Sequence, residues 1–370
     1  MSTTDLASPP PSLSPPPPPA AGRRILRGTV WLSVRQERTP LLVCGVVLLA
    51  VCAWLLFLGT RIGDYVDTQH IQNCNVVHFP AECEQVTSRA IELDTRWLTW
   101  VLITGWFLVA LPPALGLFVA APLLAREFES GTYGLAWTQS VSRQRWLAAR
   151  LGVPLVATLV GSCLLAVVST WWVGQIQGRF AVPGYYHWFT WLSRATSGPS
   201  VVGFSLLGVA LGAAVGLVVR RVVASIVVTA ALTAVVRVAV DASRYLLTPT
   251  REAVADIRMA ALPADHQLVF SSSHLPTSTP IESDIVENGL LTSDGQRIPL
   301  PGDWLSRMPD GTGVCPTDEC SAHQDTIVQA YATYHPPAAE WAMHWTQTGV
   351  CLAVTALLVL FCAFWIRRVR

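Results

Sequence analysis

The chain has 370 residues, of which 52% are hydrophobic and 13% charged, with mean hydropathy +0.44 and formal net charge +1. Soluble domains carry about a quarter charged residues, so the composition is that of a membrane protein. All 25 basic residues are Arg; without Lys there is no ordinary phosphate-binding loop G-x-x-x-x-G-K-[ST], and no Schiff-base or Ser-Lys site.

Zinc and hydrolase signatures, H-E-x-x-H and G-x-S-x-G, are also missing from the sequence. No catalytic residue, cofactor, metal or nucleic-acid partner is expected, and any energy the protein uses must come from elsewhere.

Residues 1–21 are Pro-rich, with Pro9 to Pro11 and Pro15 to Pro19, and read as a disordered tail sampling polyproline conformations. An SH3-type docking role is the alternative. The polar start has no apolar core of a signal peptide. Residues 22–40 mix Arg23, Arg24, Arg27, Arg35 and Arg38 with Ile25, Leu26, Val30, Trp31 and Leu32. That pattern predicts an amphipathic helix in the headgroup region.

Residues 41–241 hold five apolar runs near the length that crosses a bilayer: Leu41 to Gly59, Trp97 to Ala125, Leu151 to Val173, Gly198 to Val219 and Val222 to Val240. A sixth runs from Trp345 to Ile366, in the closing segment 345–370 with its basic end. Pro112-Pro113 predicts a kink in the second run. Gly208, Gly212 and Gly216 form a stripe that admits a neighbouring helix, inside the subunit or between subunits. Arg237 and Asp241, four apart near the end of the fifth run, predict an intramembrane ion pair, with substrate contact as the alternative.

Arginine placement sets the orientation. With the N-terminus inside, fourteen arginines fall on the inside segments (among them Arg126, Arg143, Arg145, Arg150, Arg220, Arg221, Arg367, Arg368 and Arg370) and five in the short outside loops. The fold class is therefore an all-α membrane protein of six transmembrane helices, both termini cytoplasmic, with a mixed extracytoplasmic region between spans five and six.

That region, 242–344, is polar and Pro-rich. Thr292 to Ile298, centred on Asp294-Gly295, predicts a hairpin. Asp325 to Tyr334 predicts a short helix, with Ile327, Val328 and Tyr331 on one face. The apolar content is low for an independent core. Cys74, Cys83, Cys315 and Cys320 lie on the oxidising side and are disulfide candidates. Three pairings exist; local bridges 74–83 and 315–320 are expected, with a bridge between the loops as the alternative. Cys315, Cys320 and His323 could instead hold a metal, but no fourth ligand is evident. All eight His fall outside on this map.

The cytoplasmic loop 122–150 carries Arg126, Glu127, Glu129, Arg143, Arg145 and Arg150 between two uncharged runs. Gly131 breaks the preceding helix. Thr132 can cap a short helix from Tyr133 to Thr138, and Ser142 a third, with Val141 and Trp146 as a hydrophobic staple. The pattern Glu-x-Glu, Gly-Thr, a short apolar stretch, Ser-Arg and a basic residue before the next span resembles the first cytoplasmic loop of type-2 ABC transporter permeases. Here it is Glu127, Glu129, Gly131, Thr132, Ser142, Arg143 and Arg150. Looser matches extend the resemblance: Arg35-Gln36-Glu37-Arg38 before the first span, Arg244-Tyr245 to Pro249 after the fifth, and Tyr334-His335-Pro336 through Trp341 and Gln347 before the last.

The resemblance implies the permease subunit of an exporter, of the kind common in high-GC bacteria. In that family the loop holds a coupling helix that docks on a separate ATP-binding subunit. A second permease copy, in a homodimer, completes the pathway in the bacterial plasma membrane. The residues above would be the docking residues. The alternative is a non-transporting sensor or assembly protein with an extracytoplasmic ligand-binding loop. The cargo is not legible.

Overall fold

The computed structural model describes residues 21–68, 84–131, 142–176, 190–256, 270–271, 284–300, 312–313, 322 and 327–368. The four loop cysteines, Thr132 and the stretch from Tyr133 to Val141 lie outside these residues, so the disulfide pairings and the short capped helix are not addressed. The described part is mostly helical. Six helices are long and apolar enough to cross a membrane, within Arg38–Tyr65, Arg96–Glu129, Arg143–Ile176, Ser200–Val219, Val222–Ser243 and Pro337–Arg368.

Helix α1 (Ala21–Thr68) is one continuous rod. The segment expected as an interfacial helix at 22–40 is helical and runs without a break into the first span. Pro40 stands inside the rod and removes a single amide. No Gly or Asn stop signal accompanies it, so the helix continues. Helix α2 (Glu84–Leu115) passes through Pro112-Pro113, and the irregularity follows as a π-turn over Gly116–Ala120. The two prolines leave preceding carbonyls without amide partners, and a wider turn absorbs the mismatch. Helix α3 (Ala121–Glu129) completes this span, and α4 (Arg143–Ile176) is the next.

A short α5 (Trp191–Thr196) leads into α6 (Ser200–Val219), which is buried along nearly its whole length. Its small residues make that possible. A Cβ on Gly212 would overlap the carbonyl of Gly116, and one on Gly116 would overlap the backbone of Gly208. A Cβ on Gly216 would strike the Ala121 carbonyl. The glycine stripe thus packs inside the subunit, against the π-turn and α3. Its opposite face takes α8, where Gly203 meets Cys351 and Thr348. The remaining helices are α7 (Val222–Leu247) and α8 (Glu340–Arg368), both longer than their apolar runs. Helices α1 and α4 lie side by side and parallel, Leu48 beside Gly161 and Gly59 beside Trp171.

Between α7 and α8 the chain forms strands β1 (Arg251–Asp256), β2 (Phe270–Ser271), β3 (Asp284–Thr292), β4 (Arg297–Pro299), β5 (Thr312–Gly313) and β6 (Ile327–His335). Four of them make an antiparallel sheet in the order β1-β6-β3-β4, with Val254 opposite Tyr331 and Leu290 opposite Ile298. The hairpin expected at 292–298 is present, and Gly295 takes the left-handed turn position with φ +79°. The helix expected at 325–334 is corrected to β6. Ile327, Val328 and Tyr331 do share a helical face. However, β6 is the central strand, bonded to β1 on one edge and β3 on the other, and two full ladders override a local spacing. Ile327, Tyr331, Ile298 and Leu290 are buried there.

The sheet is fastened to the helices. Arg194 of α5 lies 3.7 Å from Asp284 of β3, both side chains largely buried. Nearby, Thr170 accepts the Gly198 N–H at 2.8 Å, and Ser200 is 3.3 Å from the His344 ring.

Candidate functional site

At the other end of the bundle, α3, α4, α6 and α7 meet in an elbow. Its base is apolar: Leu124, Phe128, Trp146, Leu147 and Leu151 pack on Ala213 and Leu217 of α6 and Ile366 of α8. The 3.6-residue period explains which side chains go down. On α3, Ala121, Leu124, Ala125 and Phe128 are buried, whereas Arg126 and Glu129 face out. Phe128 meets Trp146 edge to face at 6.4 Å between centroids. The Arg220 guanidinium sits 5.3 Å from the Phe128 centroid.

Charged groups then tie the elbow together. Glu127 accepts from the Arg150 guanidinium, joining α3 to α4; both side chains are about 85% covered, with relative exposures of 14% and 15%. Glu129 Oε2 accepts the backbone N–H of Val222 at 3.0 Å. That amide is one of the unbonded donors at the start of α7, so Glu129 caps a helix 93 residues away in sequence. Arg220 adopts φ +57° and ends α6, its N–H bonding the Gly216 carbonyl at 3.2 Å.

Among the predicted docking residues, Glu127, Glu129, Gly131, Ser142, Arg143 and Arg150 all belong to this elbow. Gly131 has φ +71°, the left-handed conformation that leaves α3. Ser142 Oγ accepts the Arg145 N–H at 3.4 Å at the head of α4. Among the described residues, the exposed surface includes Arg126, Glu129, Ser130, Gly131, Ser142, Gln144 and Arg145, while Glu127 and Arg150 are turned inward to each other. Sequence reading missed Phe128, Arg220 and the head of α7. Their only signals were a lone aromatic and an Arg-Arg pair at a turn.

A family model described as "ABC-2 membrane transporter related" matches residues 45–244, more than half of the chain. The chain belongs to this family. No curated protein and no solved structure matches it. As an ABC-2 type permease it is the multi-pass membrane component of a transporter, and family membership implies a partner subunit that binds ATP. The matched span contains the elbow apart from the α8 side of its base.

The ABC-2 permease has a second polar cluster toward the sheet end of the bundle. Arg237 Nε lies 3.1 Å from Asp241 Oδ2, and Gln347 Nε2 of α8 donates to Asp241 Oδ1 at 3.2 Å. The Arg237 guanidinium covers the Phe204 ring of α6 at 4.0 Å. Charge at this depth is costly unless paired, and here it links α6, α7 and α8. Gln347 and Phe204 carried no such signal in the sequence. Among the described residues no group of three His, Cys, Asp or Glu could hold a metal ion.

Proposed function

We propose that this ABC-2 permease forms the translocation pathway of an ATP-driven exporter and takes its force through the elbow at 122–150. The exposed rim around Arg126, Glu129, Ser142 and Arg145, with the half-buried Arg143 beside it, is the docking surface for a separate ATP-binding subunit. Its charges orient the encounter more than they add affinity. In this reading both termini and the elbow are cytoplasmic, the sheet is extracytoplasmic, and two copies form the pathway in a bacterial plasma membrane.

One observation carries the proposal: the elbow is tied to several helices of the bundle at once. Glu127 holds α3 to α4, and Glu129 holds α3 to α7. Its apolar base rests on α6 and α8. A push on the rim therefore reaches four helices as a rigid unit, the mechanical need of an alternating-access device whose energy source is bound outside the chain. The lack of Lys, and so of an ordinary Walker-A loop, supports a reading in which a separate subunit binds the nucleotide.

The test is recovery of an ATPase bearing a Walker-A loop with the detergent-solubilised permease. Glu129→Gln with Arg145→Glu removes or reverses rim charge while the Glu127–Arg150 pair stays intact, and Gln retains an acceptor for Val222. Recovery of the ATPase should fall several-fold with membrane insertion unchanged. Equal recovery from the variant would count against the docking surface.

A further inference from the structure

A cavity of about 310 Å³ opens on the side of the bundle between α1, α2 with its π-turn, and α4. It lies nearer the elbow than the sheet, since its α1 wall begins at Leu41 and its α4 wall at Pro154. The size falls in the range of small-ligand pockets, but the lining dictates a hydrocarbon. Leu41, Leu48, Leu111, Phe118, Val119 and Leu165 supply most of the wall. Three hydroxyls reach it, those of Thr158, Ser162 and Ser205, and two of them already donate within their own helices: Ser162 to the Leu159 carbonyl at 3.2 Å, and Ser205 to the Val201 carbonyl at 2.7 Å. A polar guest would find few partners there, whereas a hydrocarbon chain matches nearly all of the wall.

The mouth has a different character. Leu41 lines the cavity, and Arg38 stands three residues earlier on the same helical face, about 4.5 Å lower along the axis. Its side chain is exposed, and the exposed Arg35 follows one turn further down. An apolar slot at membrane depth with arginine below it matches a phospholipid of negative headgroup: chain in the slot, phosphate at the arginine. We propose that this cavity seats an acyl chain of an anionic phospholipid from the leaflet at the elbow end, with its headgroup held at Arg38. The proposal needs a bilayer around the six helices but neither the ATPase nor any direction of transport, so it can fail while the export reading stands, and the reverse.

Gly45 offers a clean block. It lines the cavity, and a Cβ there meets nothing within 4 Å, so a larger side chain enters the slot without pushing on the helix packing. The full-length protein would be reconstituted in phosphatidylcholine vesicles carrying a phosphatidylglycerol with a photoactivatable acyl terminus. Labelled peptides would then be mapped. Wild type should be labelled on segments 41–48, 111–119 and 154–165 above the exposed face of α7. Gly45→Phe, by removing room for about two methylenes, should cut that labelling about tenfold and leave α7 labelling unchanged. Arg38→Gln should weaken labelling about fivefold for the phosphatidylglycerol probe and leave a phosphatidylcholine probe unaffected.

Ala157→Phe on the α4 wall repeats the block should Gly45→Phe misfold. Two results would overturn the proposal. One is labelling spread evenly over all exposed apolar faces and indifferent to both blocks. The other is efficient Cys44–Cys44 cross-linking, which would place a second copy of the chain, not a lipid, against the cavity.

Discussion

The Glu127 carboxylate accepts a hydrogen bond from the Arg150 guanidinium across the foot of two spans, and this pair joins α3 to α4. Both side chains are mostly covered, so solvent screens the pair only weakly. Removing one partner leaves the other charge in a poorly hydrated place. Glu127→Gln and Arg150→Gln should each destabilise the protein by about 1.5–3 kcal/mol, the range for hydrogen bonds to charged groups. Thermal unfolding in detergent would show it. The double variant should lose less than the sum of the singles, and strict additivity would mean that the two groups do not interact.

The sequence revealed the spans because long uncharged runs leave little choice of structure. It also revealed the hairpin, because Asp294-Gly295 demands a particular turn. It misled at 325–334, where Ile327, Val328 and Tyr331 fit a helical spacing and only the neighbouring strands β1 and β3 decide otherwise. The elbow was recognisable as a polar island, but its wiring was not. Glu127 and Arg150 are 23 residues apart, Glu129 and Val222 are 93, and Asp241 and Gln347 are 106. Nothing local in the chain records such pairings.

Glycines of one type should respond in two ways. Gly116→Ala or Gly212→Ala would drive a methyl into a facing backbone carbonyl, which cannot rotate aside as a side chain can. Overpacking of this kind costs about 1–3 kcal/mol or more. Gly152→Ala and Gly349→Ala, in α4 and α8, point into open space, and the helical preference for Ala should make them neutral or more stable by up to about 1 kcal/mol. Melting temperatures of the four variants check this. Equal losses at all four would show that the α6 stripe is not the tight contact described.

Tyr331 makes a pH prediction. Its hydroxyl donates to Glu287 Oε1 at 2.8 Å. Burial first, then that hydrogen bond and the Glu287 charge, push its pKa from the ordinary 10 up to about 12. The folded sheet thus keeps a proton that the unfolded chain releases near pH 10. The resulting stabilisation is complete below pH 10 and is lost as pH rises toward 12. In an alkaline absorbance titration, one tyrosine should ionise about two units after the unperturbed ones. Tyr331→Phe should remove that last step and flatten the fall in stability over the same window.

Arg194 and Asp284 test how the sheet is held. They lie 3.7 Å apart with side-chain exposures of 4% and 12%, close enough to neutralise each other but loose for a hydrogen bond. Such a pair adds little over two apolar residues, yet its halves are costly alone. Asp284→Leu should therefore cost roughly 3 kcal/mol, the low end for breaking a buried pair. It should speed hydrogen exchange in β3 and β6 while leaving α4 protected. Arg194→Met with Asp284→Leu should restore most of the loss, because no charge is then buried without a counterpart. If the double variant exchanged as fast as the single one, the pair would be holding the sheet by geometry and not by charge. A hydrophobic replacement could then never substitute for it.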